Sequence, residues 1–197
     1  MKKVLNVGGN NKSIALPKQY TDWEHILLDI DPKGNPDIVC DARELTTLPA
    51  LEYDSIYCSH NLEHYYHHEV KKVLAGFFHV LKDDGFVFIR VPDMTFLMKT
   101  VVEKQLDIED VLYLTVSDIP IKVRDVIYGY GNKIESSGCD FFAHKTGFTD
   151  KSLSAILKNS QFSTVFTALN PSMFEIWAIA FKYQATDYAS QLFGIKP

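Results

Sequence analysis

Residues 54–58 read DSIYC, residues 70–81 read VKKVLAGFFHVL and residues 85–91 read GFVFIRV. In the middle segment Val70, Val73, Leu74, Phe77, Phe78 and Leu81 recur at spacings of three and four, the period of a helix with one buried face, and Gly85 follows its end. The flanking segments are short apolar runs, the second stopped by Pro92. A strand, a helix and a strand in this order predict a right-handed crossover between two parallel strands.

Upstream the same kind of run recurs three times. Val4–Val7 stops at Gly8-Gly9-Asn10-Asn11, His25–Ile30 (HILLDI) stops at Asp31-Pro32-Lys33-Gly34, and Asp37–Cys40 is a brief third. Runs that are apolar on both faces suit a parallel sheet covered on both sides. Downstream, Met94–Glu103 and Ile108–Val116 read as helical, and 129–139 (GYGNKIESSGC) as a polar loop. Thr149 and Asp150 offer an N-cap for a helix carrying Leu153, Ile156 and Leu157. Phe162–Ala168 and Phe174–Phe181 read as a terminal antiparallel hairpin, and 185–197 carry no strong pattern. The expected architecture is α/β, with five mostly parallel strands, a helical insertion and a final hairpin.

Composition narrows the function. The chain has 197 residues, a length that predicts one domain, here 1–182, with 94–148 as a cover and 183–197 as a tail. A net charge of −5 argues against a chain whose main work is gripping nucleic-acid phosphates. No run reaches 18 apolar residues, so no membrane span is expected, and the N-terminus does not read as a signal peptide. Cys40, Cys58 and Cys139 are odd in number and form no C-x-x-C pair, which reads as a reducing, cytoplasmic setting.

A strand that runs into a glycine turn brings backbone N–H groups close to a ligand, and Gly8 and Gly9 permit that approach. Asp29, 21 residues after Gly8, ends the second run, where an acid is placed to accept from ribose hydroxyls. Asp41 after the third run offers an acceptor for the exocyclic amine of a base, with the Ala42 N–H beside it. Taken in order, these residues favour a nucleoside-containing cofactor.

Five segments carry a family resemblance: VLNVGGN (4–10), LDIDP (28–32), VCDAREL (39–45), YDSIYCSHNLEH (53–64) and VLKDDGFVFI (80–89). In that order and spacing they resemble the class I S-adenosylmethionine-dependent methyltransferases. The resemblance implies a Rossmann-like, mostly parallel seven-stranded sheet ending in an antiparallel hairpin. It implies S-adenosylmethionine as cofactor, held by Asn6, Gly8, Gly9, Asn10, Asp29, Ile30, Asp41, Ala42, Ser59 and His60. The chain departs from the family pattern in having Asn6 in place of an acid and Asn10 and Lys12 in place of glycines. Pro17 interrupts the short stretch before His25, where the family has a long helix.

Methyl transfer is a direct displacement that needs alignment and, for a protonated nucleophile, a proton acceptor; it needs no metal. The turn Ser59-His60-Asn61-Leu62 stands where base and amide N-methyltransferases often carry N-P-P-Y. The expected acceptor is therefore a small molecule, sugar or other metabolite; the sequence sets no oligomeric state. His60 is the first candidate base, and His144, within FFAHKTGF (141–148), the second. Tyr128, Tyr130 and Asp140 share the covering segment, and Asp93 is read equally as a substrate ligand or a helix cap.

Two rival readings come from other classes. His60-Asn61-Leu62-Glu63-His64 spells H-x-x-E-H, which on one helix would bind zinc for hydrolysis, although its place after a strand puts His60 before the helix. His67 and His68 are read as facing solvent. The weakened glycine motif instead suggests a methyltransferase-like protein that binds without catalysis.

Overall fold

The computed structural model describes residues 1–115 and 118–194. Five strands run parallel: β1 (Lys3–Val7), β2 (Glu24–Asp29), β3 (Ile38–Val39), β4 (Tyr53–Ser59) and β5 (Leu81–Pro92). The expected crossover helix, α1 (His67–Val80), joins β4 to β5. Next come α2 (Met94–Lys104), a hairpin of β6 (Val111–Leu114) and β7 (Pro120–Lys122), α3 (Val123–Tyr128) and α4 (Gly131–Ser137). The chain closes with α5 (Asp150–Asn159), β8 (Thr164–Asn170), β9 (Glu175–Phe181) and α6 (Asp187–Phe193). The main sheet has the order β3-β2-β1-β4-β5-β9-β8, with β9 antiparallel to both its neighbours.

The pleat of β5 divides the core. Val87, Ile89 and Val91 alternate to one face, where they meet Val70, Val73, Leu74 and Phe77 of α1 and Leu153 and Leu157 of α5. Phe86 and Phe88 point to the other face, which is aromatic: Tyr20, Tyr57 and Phe181 are buried there, with Trp23 and Phe193 packed against them. The stretch from Gly8 to His25 is too short for a full helix and forms only a 3-10 turn over Lys18–Tyr20. Tyr20, Trp23 and α6 together cover the surface left open. Residues 183–197, expected as a tail, therefore include α6, whose Ala189 is fully buried against the sheet.

Two expectations for the insertion are corrected. Residues 111–114 of the predicted helix 108–116 form a strand; Val116 lies outside the described residues. Asp107 and Asp110 bond locally, Asp107 N–H donating to Asp110 Oδ2 at 2.8 Å, and that turn diverts the chain from a helix into β-prone Val111-Leu112-Tyr113. Within the predicted loop 129–139, residues 131–137 wind into α4, which Gly138 ends in the left-handed conformation (φ +65). Asp93 is a helix cap: buried, it accepts from the Thr95 and Phe96 N–H groups at the start of α2. Among the described residues no helix is long and apolar enough to cross a membrane.

Candidate functional site

The strand order reverses between β1 and β4, so a crevice opens where the carboxyl ends of β1, β2 and β4 diverge. Gly8 leaves β1 with φ +71, and its N–H continues the ladder to the Leu28 carbonyl at 2.8 Å. The close neighbours of the glycine turn belong to the chain itself. A Cβ at Gly8 would lie 2.1 Å from Asn61 Nδ2, and one at Gly9 would lie 2.1 Å from Asn6 Nδ2. Asn6 is buried and donates to His25 Nε2 at 3.2 Å.

Asp29, at the end of β2, accepts the Asn10 N–H on Oδ2 (2.8 Å) and the Asp31 N–H on Oδ1 (2.9 Å). A carboxylate has about four lone-pair sites, so acceptor capacity remains. Asp41 caps the 3-10 turn that contains buried Ala42, and it holds the Arg43 guanidinium on both oxygens. Although burial opposes its charge, the bonds from Arg43 hold the Asp41 carboxyl below its usual range. Arg43 also reaches Glu69 of α1, tying the third strand's loop to the helix.

Beyond β4 the chain turns sharply, with His60 at φ +48. The His60 ring has 43% of its side-chain surface exposed and lies between two carboxylates. Nε2–H donates to Glu175 Oε1 at 2.7 Å, and Nδ1 lies 3.4 Å from Glu63 Oε1. Burial works against the charged ring, yet the two acids outweigh it and raise its pKa to about 9. Glu175 is held further by Arg90, by the Trp177 indole N–H and by Asn170. Desolvation opposes its charge too, but these donors push it down to about 2.

Glu63 is different. It is 1% exposed, and neither carboxylate oxygen has a hydrogen-bond partner. His144 donates Nδ1–H to the Val126 carbonyl at 2.9 Å, leaving Nε2 without a proton 3.9 Å from Glu63 Oε1. The main chain locks the cover onto the turn, since Lys145 and Thr146 both donate to the Glu63 carbonyl. Because only Leu62–His64 is 3-10 and His60 lies outside it, H-x-x-E-H does not form the single helix that a peptidase zinc site needs. His67 and His68 are exposed at the start of α1.

Beside this turn lies a cavity of about 310 Å³. Ile30, Asp41 and Asn61 line its sheet side, His64, Tyr65 and Tyr66 its floor toward α1, and Asp140, Phe141 and Lys145 its cover. Of the residues expected to bind cofactor, Ile30 and Asp41 line the cavity. Asn10 lines a separate surface pocket with Lys33 and Gly34, while His60 faces Glu175. Of the covering residues singled out, Asp140 lines the cavity, whereas Tyr128 lines another pocket beside Gly129. Sequence reasoning passed over Arg90, Glu175, Arg43, Asn61 and Lys145. A signal existed for the first two, each a lone charge in an otherwise apolar run, 85–91 and 174–181.

Residues 5–89 match the family model of the methyltransferase domain. No curated protein matches the sequence significantly. Among solved structures the chain is similar to an S-adenosylmethionine-dependent methyltransferase from Archaeoglobus fulgidus (16% identity, 91% of this chain and 85% of that one, TM-score 0.56). It is also similar to the 1,6-didemethyltoxoflavin-N1-methyltransferase of Burkholderia thailandensis, solved with bound 1,6-didemethyltoxoflavin and S-adenosylhomocysteine (15% identity, 93% and 72%, TM-score 0.52). The PH0226 protein of Pyrococcus horikoshii is a third (12% identity, 91% and 81%, TM-score 0.57). With the reversal point and the antiparallel β9 already established, residues 5–89 are similar to the methyltransferase domain family, and the chain has the class I S-adenosylmethionine-dependent methyltransferase fold.

Proposed function

We propose that the chain transfers a methyl group from S-adenosylmethionine to a small-molecule acceptor. The observation that carries this reading is the covered cavity against Ile30, Asp41 and Asn61, at the sheet's reversal point. Its volume is near the lower end of small-ligand sites, and its cover from the insertion leaves little room for a macromolecular acceptor.

The residues fit the adenosine half of the cofactor. Ile30 supplies an apolar wall, Asp41 an acceptor for the amine of the base, and Asp29 has lone pairs left for ribose hydroxyls. Asn61 over Gly8 narrows the methionine half. When bound, the cofactor supplies an electrophilic methyl group on a sulfonium. The chain's own part is to hold the acceptor beside it and exclude water, which the clamp between Glu63 and the Lys145 and Thr146 N–H groups supports. His60 serves as a positioning group, not as the base, because both of its ring nitrogens face carboxylates. His144 Nε2 keeps a free lone pair, directed at Glu63.

A second reading, binding without catalysis, draws on the Asn61 side chain, which fills the space above the glycine turn. Calorimetric titration with S-adenosylmethionine and S-adenosylhomocysteine tests the cofactor site. Micromolar binding of either is expected, and no binding at millimolar ligand would overturn the proposal. Turnover with a panel of hydroxyl and amine acceptors then separates enzyme from binder.

A further inference from the structure

Glu63, His64 and His144 each offer one ligand atom, and these atoms lie within 4.8 Å of one another. Glu63 comes from the turn after β4, and His64 follows it directly. His144 comes from the covering segment 80 residues later, so the cluster exists only once the cover is in place.

A cluster of this kind is often an ordinary set of paired polar groups, and the hydrogen bonds decide otherwise here. Burying an ionised carboxylate without partners is costly, and such groups in folded proteins are paired or bind metal. Glu63 is 1% exposed with both oxygens unpartnered. His60 Nδ1 at 3.4 Å gives it a charge neighbour without a hydrogen bond, while Nε2 of the same ring is held by Glu175.

His144 is arranged as a metal ligand is. His144 gives Nδ1–H to the Val126 carbonyl, which fixes its tautomer and leaves Nε2 as a lone pair aimed at Glu63. A backbone carbonyl on the far nitrogen is the usual outer support of a metal-bound histidine. His64 lies between two carbonyls, Ala143 O at 3.1 Å from Nδ1 and His60 O at 3.0 Å from Nε2. Both His64 nitrogens are thus held by main-chain carbonyls, and His64 ligates an ion by giving up one of these bonds.

We propose that Glu63, His64 and His144 bind one divalent transition-metal ion. Two imidazole nitrogens and one carboxylate suit zinc, iron(II) or cobalt(II), whereas magnesium and calcium prefer oxygen ligands alone. Three protein ligands leave coordination positions open. His64 also lines the cavity, so an open position there takes an oxygen of a molecule bound in it. This last step rests on the methyltransferase reading and assigns the acceptor to the hydroxyl or carboxylate class; the metal site itself does not depend on it.

The test titrates metal-free protein with cobalt(II) and zinc(II), without S-adenosylmethionine, following visible cobalt bands, calorimetric stoichiometry and thermal midpoint. Expected are one ion per chain, a raised midpoint, and affinity at least tenfold lower in Glu63→Gln and His144→Ala. His67→Ala and His68→Ala, on exposed neighbours, should bind as the parent does. Absence of saturable binding at millimolar metal overturns the proposal. So does binding that survives Glu63→Gln and His144→Ala but vanishes in the His67 or His68 variants. If a variant fails to fold, the parent's stoichiometry and cobalt spectrum still decide. A chain that binds metal but no S-adenosylmethionine would defeat the cofactor reading and leave this one standing.

Discussion

Arg90 Nη2 donates to both carboxylate oxygens of Glu175, at 2.7 and 2.8 Å, joining the end of β5 to the first residue of β9. Glu175 is 1% exposed, and Arg90 Nη1 also donates to the Tyr57 hydroxyl at 3.0 Å. The pair therefore pins the antiparallel strand to the sheet at the level of the site. Removing Glu175 leaves the mostly buried Arg90 guanidinium without a carboxylate.

Glu175→Gln should accordingly lower stability by about 3–5 kcal/mol, the range for breaking a buried pair. Replacing both residues by apolar side chains of similar size, Arg90→Met with Glu175→Leu, should recover part of that loss, because the Arg90 charge goes with its partner while His60, Trp177 and Asn170 still lose their acceptor. Urea unfolding of the single and double variants decides the matter. A double variant as unstable as the single one would show that the pair's charge is not the source.

Gly8 is the second point of strain. Its φ of +71 disfavours any side chain, and Asn61 occupies the space a methyl group would need. Gly8→Ala should cost about 1–3 kcal/mol from the backbone alone. Combining it with Asn61→Ala should relieve the contact but not the backbone strain, so the double variant should fall between parent and single variant. Thermal or urea melts give the order, and a Gly8→Ala protein as stable as the parent would refute the argument.

The strands and the crossover helix were legible because apolar period and length mark them directly: Val70, Val73, Leu74 and Phe77 could belong to little else. The insertion was not. Val111–Leu114 has too few residues for its period to separate a strand from a helix, and only its pairing with Pro120–Lys122 decides it. At the site, the motif residues of the β-strand ends could be named, but their partners could not. Asn61 over Gly8, Arg43 across Asp41 and His144 beside Glu63 are contacts made by chain closure between segments with no mark in common.

Asp54 links stability to pH at the opposite end of the sheet. It accepts the Lys3 N–H at 2.9 Å and Lys82 Nζ at 2.9 Å, with Lys2 Nζ at 3.4 Å. Desolvation opposes its charge, yet these donors hold its pKa below the ordinary value. A depressed carboxyl stabilises the fold fully above its unfolded pKa of about 3.9, and the contribution fades as pH falls through the lower folded value. Asp54→Asn should therefore be less stable by about 1–3 kcal/mol at neutral pH. The two stability curves should converge only under acid conditions below about pH 4. A difference that stayed constant into strong acid would rule out ionisation as its origin.

Asp29 bears most directly on the cofactor. Its oxygens accept from Asn10 and Asp31 and so hold the loops after β1 and β2 together, and acceptor capacity remains for the ribose hydroxyls of the proposed cofactor. Asp29→Ala removes both functions, so S-adenosylhomocysteine affinity should fall at least tenfold, about 1.4 kcal/mol. Asp29→Asn separates them: its remaining carbonyl can keep one loop bond, but its amide cannot accept from a hydroxyl. Thermal midpoints should then rank parent, Asn, Ala, while both variants bind poorly by calorimetry. If Asp29→Ala kept affinity within about twofold, less than 0.5 kcal/mol, the ribose assignment would fail, and Asp29 would be a loop clamp alone.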